Sequence, residues 1–272
     1  MSITNNTRKI KPNIDYLALF FYTQPTMNTQ KQQLLMAKAV RYMKQSRDPI
    51  HDLGHVTRVV AHANQLAKVY QLSADQTNAL ILAAWWHDVA RSITKRPSII
   101  IMPFIDDIIS AFMLWHATIK YGLFGPVVGM ATRMIFCKSI GTGRIFTKLL
   151  MRKKNHILVN ILEDADRLDI LYIGRTEQLF MLADSSRLYH FGYRLTIWWF
   201  LSTKSLHMKT EAATKELISM VESFNRWMKQ HDIMSWHRER FGEKWMNEQF
   251  IKVDQLIQTL EKQLLTYSFS QQ

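Results

Sequence analysis

Apolar residues in this chain recur at spacings of three and four, in blocks long enough for several helical turns. That is the period of one helix face and not the alternation of a strand. Only 9 Gly and 6 Pro interrupt 272 residues, so helices can run long. At 47% hydrophobic residues, one sizeable core can be filled. The expected fold class is all-α: a helical bundle with an inserted helical segment and extra C-terminal helices.

The pattern predicts a helix over 28–46, ended by the loop SRDPIHDLG, and a second over 53–71. Ser73 and Gln76 form a capping-box pattern that opens a third helix, expected to end near Arg91. From 92 to 152 Pro97, Pro103, Gly122, Gly125 and Pro126 predict short helices. A helix follows over 155–173, and the last spans about 243–265. Its Met246, Phe250, Val253, Ile257, Leu260 and Leu264 form a heptad-like seam, expected to pack on its own domain. A monomer is accordingly favoured.

A formal charge of +13 favours anionic partners such as phosphorylated metabolites, nucleic acid or acidic lipid. The basic stretch 138–154 interleaves Lys138, Arg144, Lys148, Arg152, Lys153 and Lys154 with apolar residues. It offers weak contact with an anionic membrane surface or nucleic acid, although a solvated face over a core-facing side is the simpler reading. IGTGR at 140–144 lacks the spacing of a phosphate loop. Cys137 is the only cysteine, which excludes an intramolecular disulfide and thiolate-rich zinc sites and fits a reducing compartment. The charge-free stretches on either side of Lys120 hold twelve residues each and the longest, 16–30, holds fifteen, all short of the about 18 that a membrane span needs. Leu195 to Leu201 is nevertheless apolar enough to touch a bilayer. Arg8, Lys9 and Lys11 precede a short apolar run, Tyr16 to Tyr22, read as a packed helix rather than a signal peptide. The expected location is cytoplasmic, at most peripheral to a membrane.

The chemistry concentrates in HDLGHVTRVV at 51–60, AAWWHDVAR at 83–91 and EDADRLDIL at 163–171. Imidazoles and carboxylates together suit Mn, Fe, Zn or Mg-type ions. His55 follows Gly54 at the start of a helix, so its ring can face a cavity. His87 and Asp88 are adjacent, about 100° apart on a helix, and can share an ion only near the helix end. Helix 155–173 is apolar almost all round yet carries Asp164, Asp166 and Asp169. Burying carboxylates costs several kcal/mol each unless a cation or strong donors compensate, about 3–5 kcal/mol where a partner is missing. Asp164 points about 200° away from Asp166, so at most one of them reaches a given ion. Periodicity alone does not choose between them.

The ordered pattern H…HD…D resembles the HD superfamily of metal-dependent phosphohydrolases. The local contexts match as well: H-x-x-R-V from His55, A-x-x-x-H-D ending at Asp88, and A-D-x-L from Ala165. The likeness covers about residues 28–175, and implies an HD-like domain there with an insertion at 92–152. Residues 1–27 would then be an N-terminal extension and 176–272 helices packed on the same domain. The resemblance implies one divalent ion (Mn, Fe, Zn, Ni, Co or Mg) held by His55, His87, Asp88 and Asp166. It implies hydrolysis of a phosphate ester or anhydride, in a nucleotide or another small phosphorylated metabolite.

Family members that hydrolyse alarmones, and its deoxynucleotide 5′-nucleotidases, carry an acid soon after the HD pair. Here Val89, Ala90, Arg91 and Ser92 follow, with no carboxylate before Asp106. The resemblance makes Asp164 and Asp169, the latter on the same helix face as Asp166, acids behind the ligands or in helix packing, and leaves Asp88 or Asp169 as the candidate for proton transfer. Arg58 and Arg91, on the faces of His55 and His87, are candidates to neutralise a phosphate, or else ordinary ion pairs. His116 and His51 are candidates to line the pocket, although His116, beside Trp115, also reads as a core histidine. The insertion holds no His-His pair, which favours a mononuclear site, and the Gly-Tyr-Pro element of the family's cyclic-dinucleotide branch is absent. Two other readings stand beside this one: a phosphodiesterase on RNA or a cyclic nucleotide, and a degenerate HD domain that binds an anionic ligand or membrane without turnover.

Overall fold

The structure, a computed structural model, describes residues 30–48, 51–93, 102–138, 143–184, 186–202 and 206–270. The N-terminal extension, its basic residues, the apolar run at 16–22 and Pro97 lie outside the described residues. Among those described, twelve α-helices and three short 3-10 turns make up the fold, and there is no strand. The fold is all-α, as the apolar period requires.

Helices α1 (Gln30–Lys44), α2 (Leu53–Val69) and α3 (Ala74–Trp86) form the first half of the core. Asp52 caps α2 by accepting from the His55 backbone N–H at 2.8 Å. Ser73 and Gln76 close the predicted capping box at the start of α3. Every residue of α3 from Asn78 to Trp86 is buried, the mark of a helix enclosed on all sides. It packs against α1, α2, α5 (Pro126–Lys138) and α7 (His156–Leu168). Trp86 Nε1 donates to the Leu35 carbonyl at 3.1 Å, tying α3 to α1.

The insertion is more regular than its Pro and Gly content predicts. It holds α4 (Met102–Tyr121), α5 and the shorter α6 (Gly143–Leu150). Pro103 and Pro126 stand in the first turns of α4 and α5, at the second and first positions, where a missing N–H costs nothing, so they do not break the helices. Gly122, at φ +62°, ends α4, and the Leu123 N–H reaches back to the Thr118 carbonyl at 2.9 Å. That left-handed position is the one glycine tolerates best.

The C-terminal helices are α8 (Ile173–Ala183), α9 (Arg187–Phe200), α10 (Glu211–Met228), α11 (His231–Phe241) and α12 (Glu243–Ser270). The α12 seam turns Met246, Val253, Leu256 and Leu260 into the same hydrophobic cluster that contains α3. Contacts with α10 and α11 cover it. An aromatic cluster of Phe180, Tyr193, Trp227, Trp236, Phe241 and Trp245 surrounds His237. His237 Nδ1–H donates to the Ile233 carbonyl at 2.6 Å, so Nε2 accepts from the Tyr193 hydroxyl at 2.8 Å. Burial lowers the His237 pKa, which keeps the ring neutral and this arrangement of donors fixed.

Replacing Tyr193 with Phe leaves His237 Nε2 buried without a donor. Chemical denaturation of the variant is expected to show a loss of about 1–3 kcal/mol. An unchanged midpoint would mean that the hydrogen bond contributes nothing to holding α9 on α11.

Candidate metal site

The site lies at one end of the bundle, where α2 begins and α3, α5 and α7 end. Three helix C-termini bring partial negative charge to this end, an environment that favours a cation. Asp52 sets His55 in the first turn of α2. A side chain at Gly54 would put its Cβ 3.1 Å from Asp52 Oδ1 and 3.2 Å from Arg58 Nη1, so glycine keeps this turn tight.

At the end of α3 the α-helix stops at Trp86. His87 still has helical angles, whereas Asp88 turns to φ −110°, ψ 10° before the 3-10 turn Val89–Ser92. This break removes the 100° separation expected of adjacent residues on a helix. Both side chains consequently face the same point. His87 Nε2 lies 3.5 Å from Asp88 Oδ2 and 3.6 Å from Asp166 Oδ1. His55 Nε2 lies 3.2 Å from Asp88 Oδ2 and 3.3 Å from Asp166 Oδ1.

The imidazole tautomers are fixed from behind. His55 Nδ1–H donates to Asp169 Oδ2 at 2.6 Å, and His87 Nδ1–H donates to the Ala84 carbonyl at 2.8 Å. Each ring therefore presents the lone pair of Nε2 to the shared point. His55 Nε2, His87 Nε2 and Asp88 Oδ2 are buried without a hydrogen-bond partner. Buried polar atoms left so are rare and call for an explanation. Donor-to-metal distances of about 2.0–2.2 Å put neighbouring donor atoms about 3.0–3.5 Å apart, close to the separations here. The ligand atoms of His55, His87 and Asp166 lie within 4.8 Å of one another, and this group could hold a metal ion.

The electrostatics agree. Burial, the largest influence on His55, pulls its pKa down, as does Arg175, but the nearby carboxylates of Asp166, Asp169 and Asp88 outweigh both and raise it to about 10. Burial likewise pushes the Asp166 carboxyl up, yet Lys138, His55 and His87 hold it well below the usual carboxylate range. An acidic pocket of this kind holds either protons on its imidazoles or a cation in their place.

Asp169 stands behind His55, away from the shared point. Its oxygens bind His55, the guanidinium of Arg58 and Arg175 Nη1, the last at 3.4 Å. The expectation that Asp169 takes part in proton transfer is corrected by this placement, since its oxygens already serve three donors. The carboxylate orients His55. Arg58 is corrected likewise: it holds Asp169 and lies over the Tyr172 ring, 4.1 Å from the centroid. Arg91 is 5% exposed and pairs with Asp106 at 2.5 Å and Asp48 at 4.0 Å, so it is an internal strut and not a phosphate ligand. His116 lies exposed on α4 and is neither a core histidine nor part of this cluster. His51 does sit beside the cluster. Its ring centroid is 5.5 Å from that of His55, Nδ1–H donates to Asp48 at 3.1 Å, and Nε2 accepts from Arg175 Nη2 at 3.3 Å.

Sequence reasoning missed three parts of the site. Lys138 is not part of a basic surface: its ammonium is buried, 2.9 Å from Asp166 Oδ2 and 3.2 Å from Asp107 Oδ1. Asp106 and Asp107 come from α4, and burial pushes the Asp107 carboxyl up to about 7, against the pull of Lys138. Arg175, the third, reaches in from α8. The signal was available, because Asp106 and Asp107 interrupt an apolar helix just as the acids of α7 do. Asp164, by contrast, faces away from the shared point and accepts from the Lys209 N–H at 2.9 Å and the Thr210 hydroxyl at 2.7 Å.

Comparisons of the chain with protein-family models, with curated proteins and with solved structures return no match.

Asp169→Asn is expected to weaken divalent-metal binding about 10–100-fold, because a carboxylate behind a metal-facing histidine fixes its ring and basicity. Asp164→Ala should leave metal affinity unchanged and lower stability by about 1–3 kcal/mol through the abandoned donors of Lys209 and Thr210. Competition with a chelating dye, together with denaturation, measures both. Metal loss in Asp164→Ala but not in Asp169→Asn would reverse the assignment.

Proposed function

We propose that this protein is a metal-dependent phosphohydrolase of the HD type, acting on a nucleotide or another small phosphorylated metabolite. One observation carries the reading. Two imidazoles with fixed tautomers point unpartnered Nε2 atoms at Asp88 and Asp166 in a buried pocket. One divalent ion (Mn, Fe, Zn, Ni, Co or Mg) is held by His55, His87, Asp88 and Asp166. Two nitrogen and two oxygen donors suit such ions, and no thiolate competes. When bound, the ion lowers the pKa of a water and polarises a phosphoryl oxygen.

The chain's own groups do the rest. Asp169 keeps the His55 ring in its metal-facing orientation. The Asp166 side chain is 27% exposed, against 0% for both histidines, so substrate approaches over Asp166. Lys138 stands at that edge, and Asp107 and Asp166 keep its ammonium charged, well above the usual lysine range, against burial, which alone would lower it. It is paired like Arg58 and Arg91, but one of its partners is the proposed ligand Asp166, and that contact sets it beside the phosphate. Asp107, raised to about 7, is the carboxyl in contact with Lys138 that can exchange a proton near neutrality.

A second reading, a metal-bearing HD domain that binds an anionic ligand without turnover, is favoured by the full engagement of Asp169. Turnover separates the two. Phosphate release from a panel of phosphorylated metabolites, tested with Mn, Mg, Ni and Co, is expected for the wild type. It should vanish in His55→Ala, His87→Ala, Asp88→Ala and Asp166→Ala, together with bound metal. Lys138→Met should keep the metal and lose about 10–100-fold in kcat/KM, the size of one charge-assisted contact made in the transition state. Release that survives Asp166→Ala would overturn the hydrolase reading. A metal-bearing wild type inert across the panel would favour the second.

A further inference from the structure

Helix α9 presents the wrong face to solvent for an ordinary surface helix. Tyr193 and Ile197 are its buried residues, and they point into the aromatic cluster around His237. On the opposite side Leu188 is 76% exposed, Phe191 64%, Leu195 49% and Trp198 49%. At about 100° per residue these four, with Trp199 at the margin, occupy an arc of about 100° centred opposite Tyr193 and Ile197. A stripe of that width normally faces a core. Exposed Arg187 and Arg194 run along one edge of it.

We propose that this face of α9 is a docking surface for an anionic lipid bilayer, with the helix lying in the plane of the interface. The charge is complementary: the arginines border the stripe, and the chain as a whole carries +13. The chemistry also fits, because Trp, Phe and Leu on one side with Arg at the margin is the composition that settles at the boundary between headgroups and acyl chains. No described helix is long and apolar enough to cross a membrane, so the contact is one of lying on the surface. A second copy of the chain is a poorer occupant. Fourteen residues make a helix about 21 Å long, and a face about 10 Å wide gives about 400 Å² when two copies meet. Stable dimers bury about 1,600 Å². The inference stands apart from the metal site and does not depend on it.

Flotation of the full chain with vesicles tests the proposal. Vesicles of phosphatidylcholine with about 30% phosphatidylserine are compared with phosphatidylcholine alone, at about 50 mM and about 150 mM salt. The wild type is expected to float with the anionic vesicles, less so at the higher salt. Phe191→Ser/Trp198→Ser should lower the bound fraction about tenfold or more at an unchanged melting temperature. Leu188→Ser/Leu195→Ser, on the same stripe, should do the same and guards against a folding defect in the first variant. Arg152→Ala/Lys153→Ala/Lys154→Ala, in the separate basic stretch, should lower it far less than either. Failure of the wild type to bind, equal binding by the stripe variants, or dependence on Arg152–Lys154 alone would overturn the proposal. So would a wild-type dimer in solution that both stripe variants convert to a monomer.

Discussion

The end of the bundle where α2 begins is governed by the cost of holding charge away from water. Asp48, Asp88, Asp106, Asp107 and Asp169 are all buried, and Asp166 is mostly so. The cationic side chains paired with them are Arg58, Arg91, Lys138 and Arg175. The acids outnumber these four cations, so with the imidazoles neutral the cluster keeps an excess of negative charge that a divalent cation offsets, reduced by the proton that Asp107 takes up near neutrality. Isolated buried ions are penalised by several kcal/mol, about 3–5 kcal/mol when one partner is removed. The pairs that avoid this penalty join α1's trailing loop, α2, α4, α5, α7 and α8 into one arrangement. Much of the local geometry follows from that requirement: the break after Trp86, the inward turn of Lys138, and the anchoring of Asp169 by two arginines.

Helix α7 shows how one element divides such work. Asp164 and Asp166 on it and Asp169 at its C-terminal cap point in three directions. Asp164 receives the start of α10 through Lys209 and Thr210. Asp166 enters the cluster, and Asp169 supports His55 from the opposite side. The C-terminal helices are thereby linked to the helix that carries the site, and His62 on α2 adds a second link through Glu216 on α10 at 2.7 Å. The buried aromatic cluster around His237 then holds α9 in place while its outer face stays in solvent.

The all-α class, the capping box at Ser73 and the divergence of Asp164 from Asp166 were legible in the sequence, because each follows from helical period or from a local hydrogen-bond pattern. The role of Asp169 was only half legible. Period placed it near Asp166, but the partners that occupy its oxygens lie 111 and 114 residues earlier, at Arg58 and His55. Lys138 was misread for a physical reason: it heads a stretch that carries Arg144, Lys148 and Arg152–Lys154, and only the fold brings acids of α4 and α7 to it. For Arg91 and Arg58 the sequence left a phosphate contact and an ion pair both open, and it is buried carboxylates of the chain itself that pair with them. Proline at the start of a helix looks the same in sequence as proline that breaks one, so the insertion was drawn too fragmented.

The central claim is that His55, His87, Asp88 and Asp166 form a site for a divalent cation. Its most direct test is the melting temperature of chelator-treated protein titrated with Mn, Fe, Zn, Ni, Co or Mg. An ion that binds the folded chain and not the unfolded one raises the melting point, by about 2.7 kcal/mol of added stability at a hundredfold excess over Kd. The sign of the pH dependence follows from His55. Without an ion its pKa is raised to about 10, so the ion must displace a proton, and affinity should grow as pH rises towards that value. The account predicts stabilisation by at least one of these ions, larger at about pH 8.5 than at about pH 6.5, and absent in Asp166→Ala. Protein that carries no metal when purified, and gains no stability from any of these ions at either pH, would contradict it.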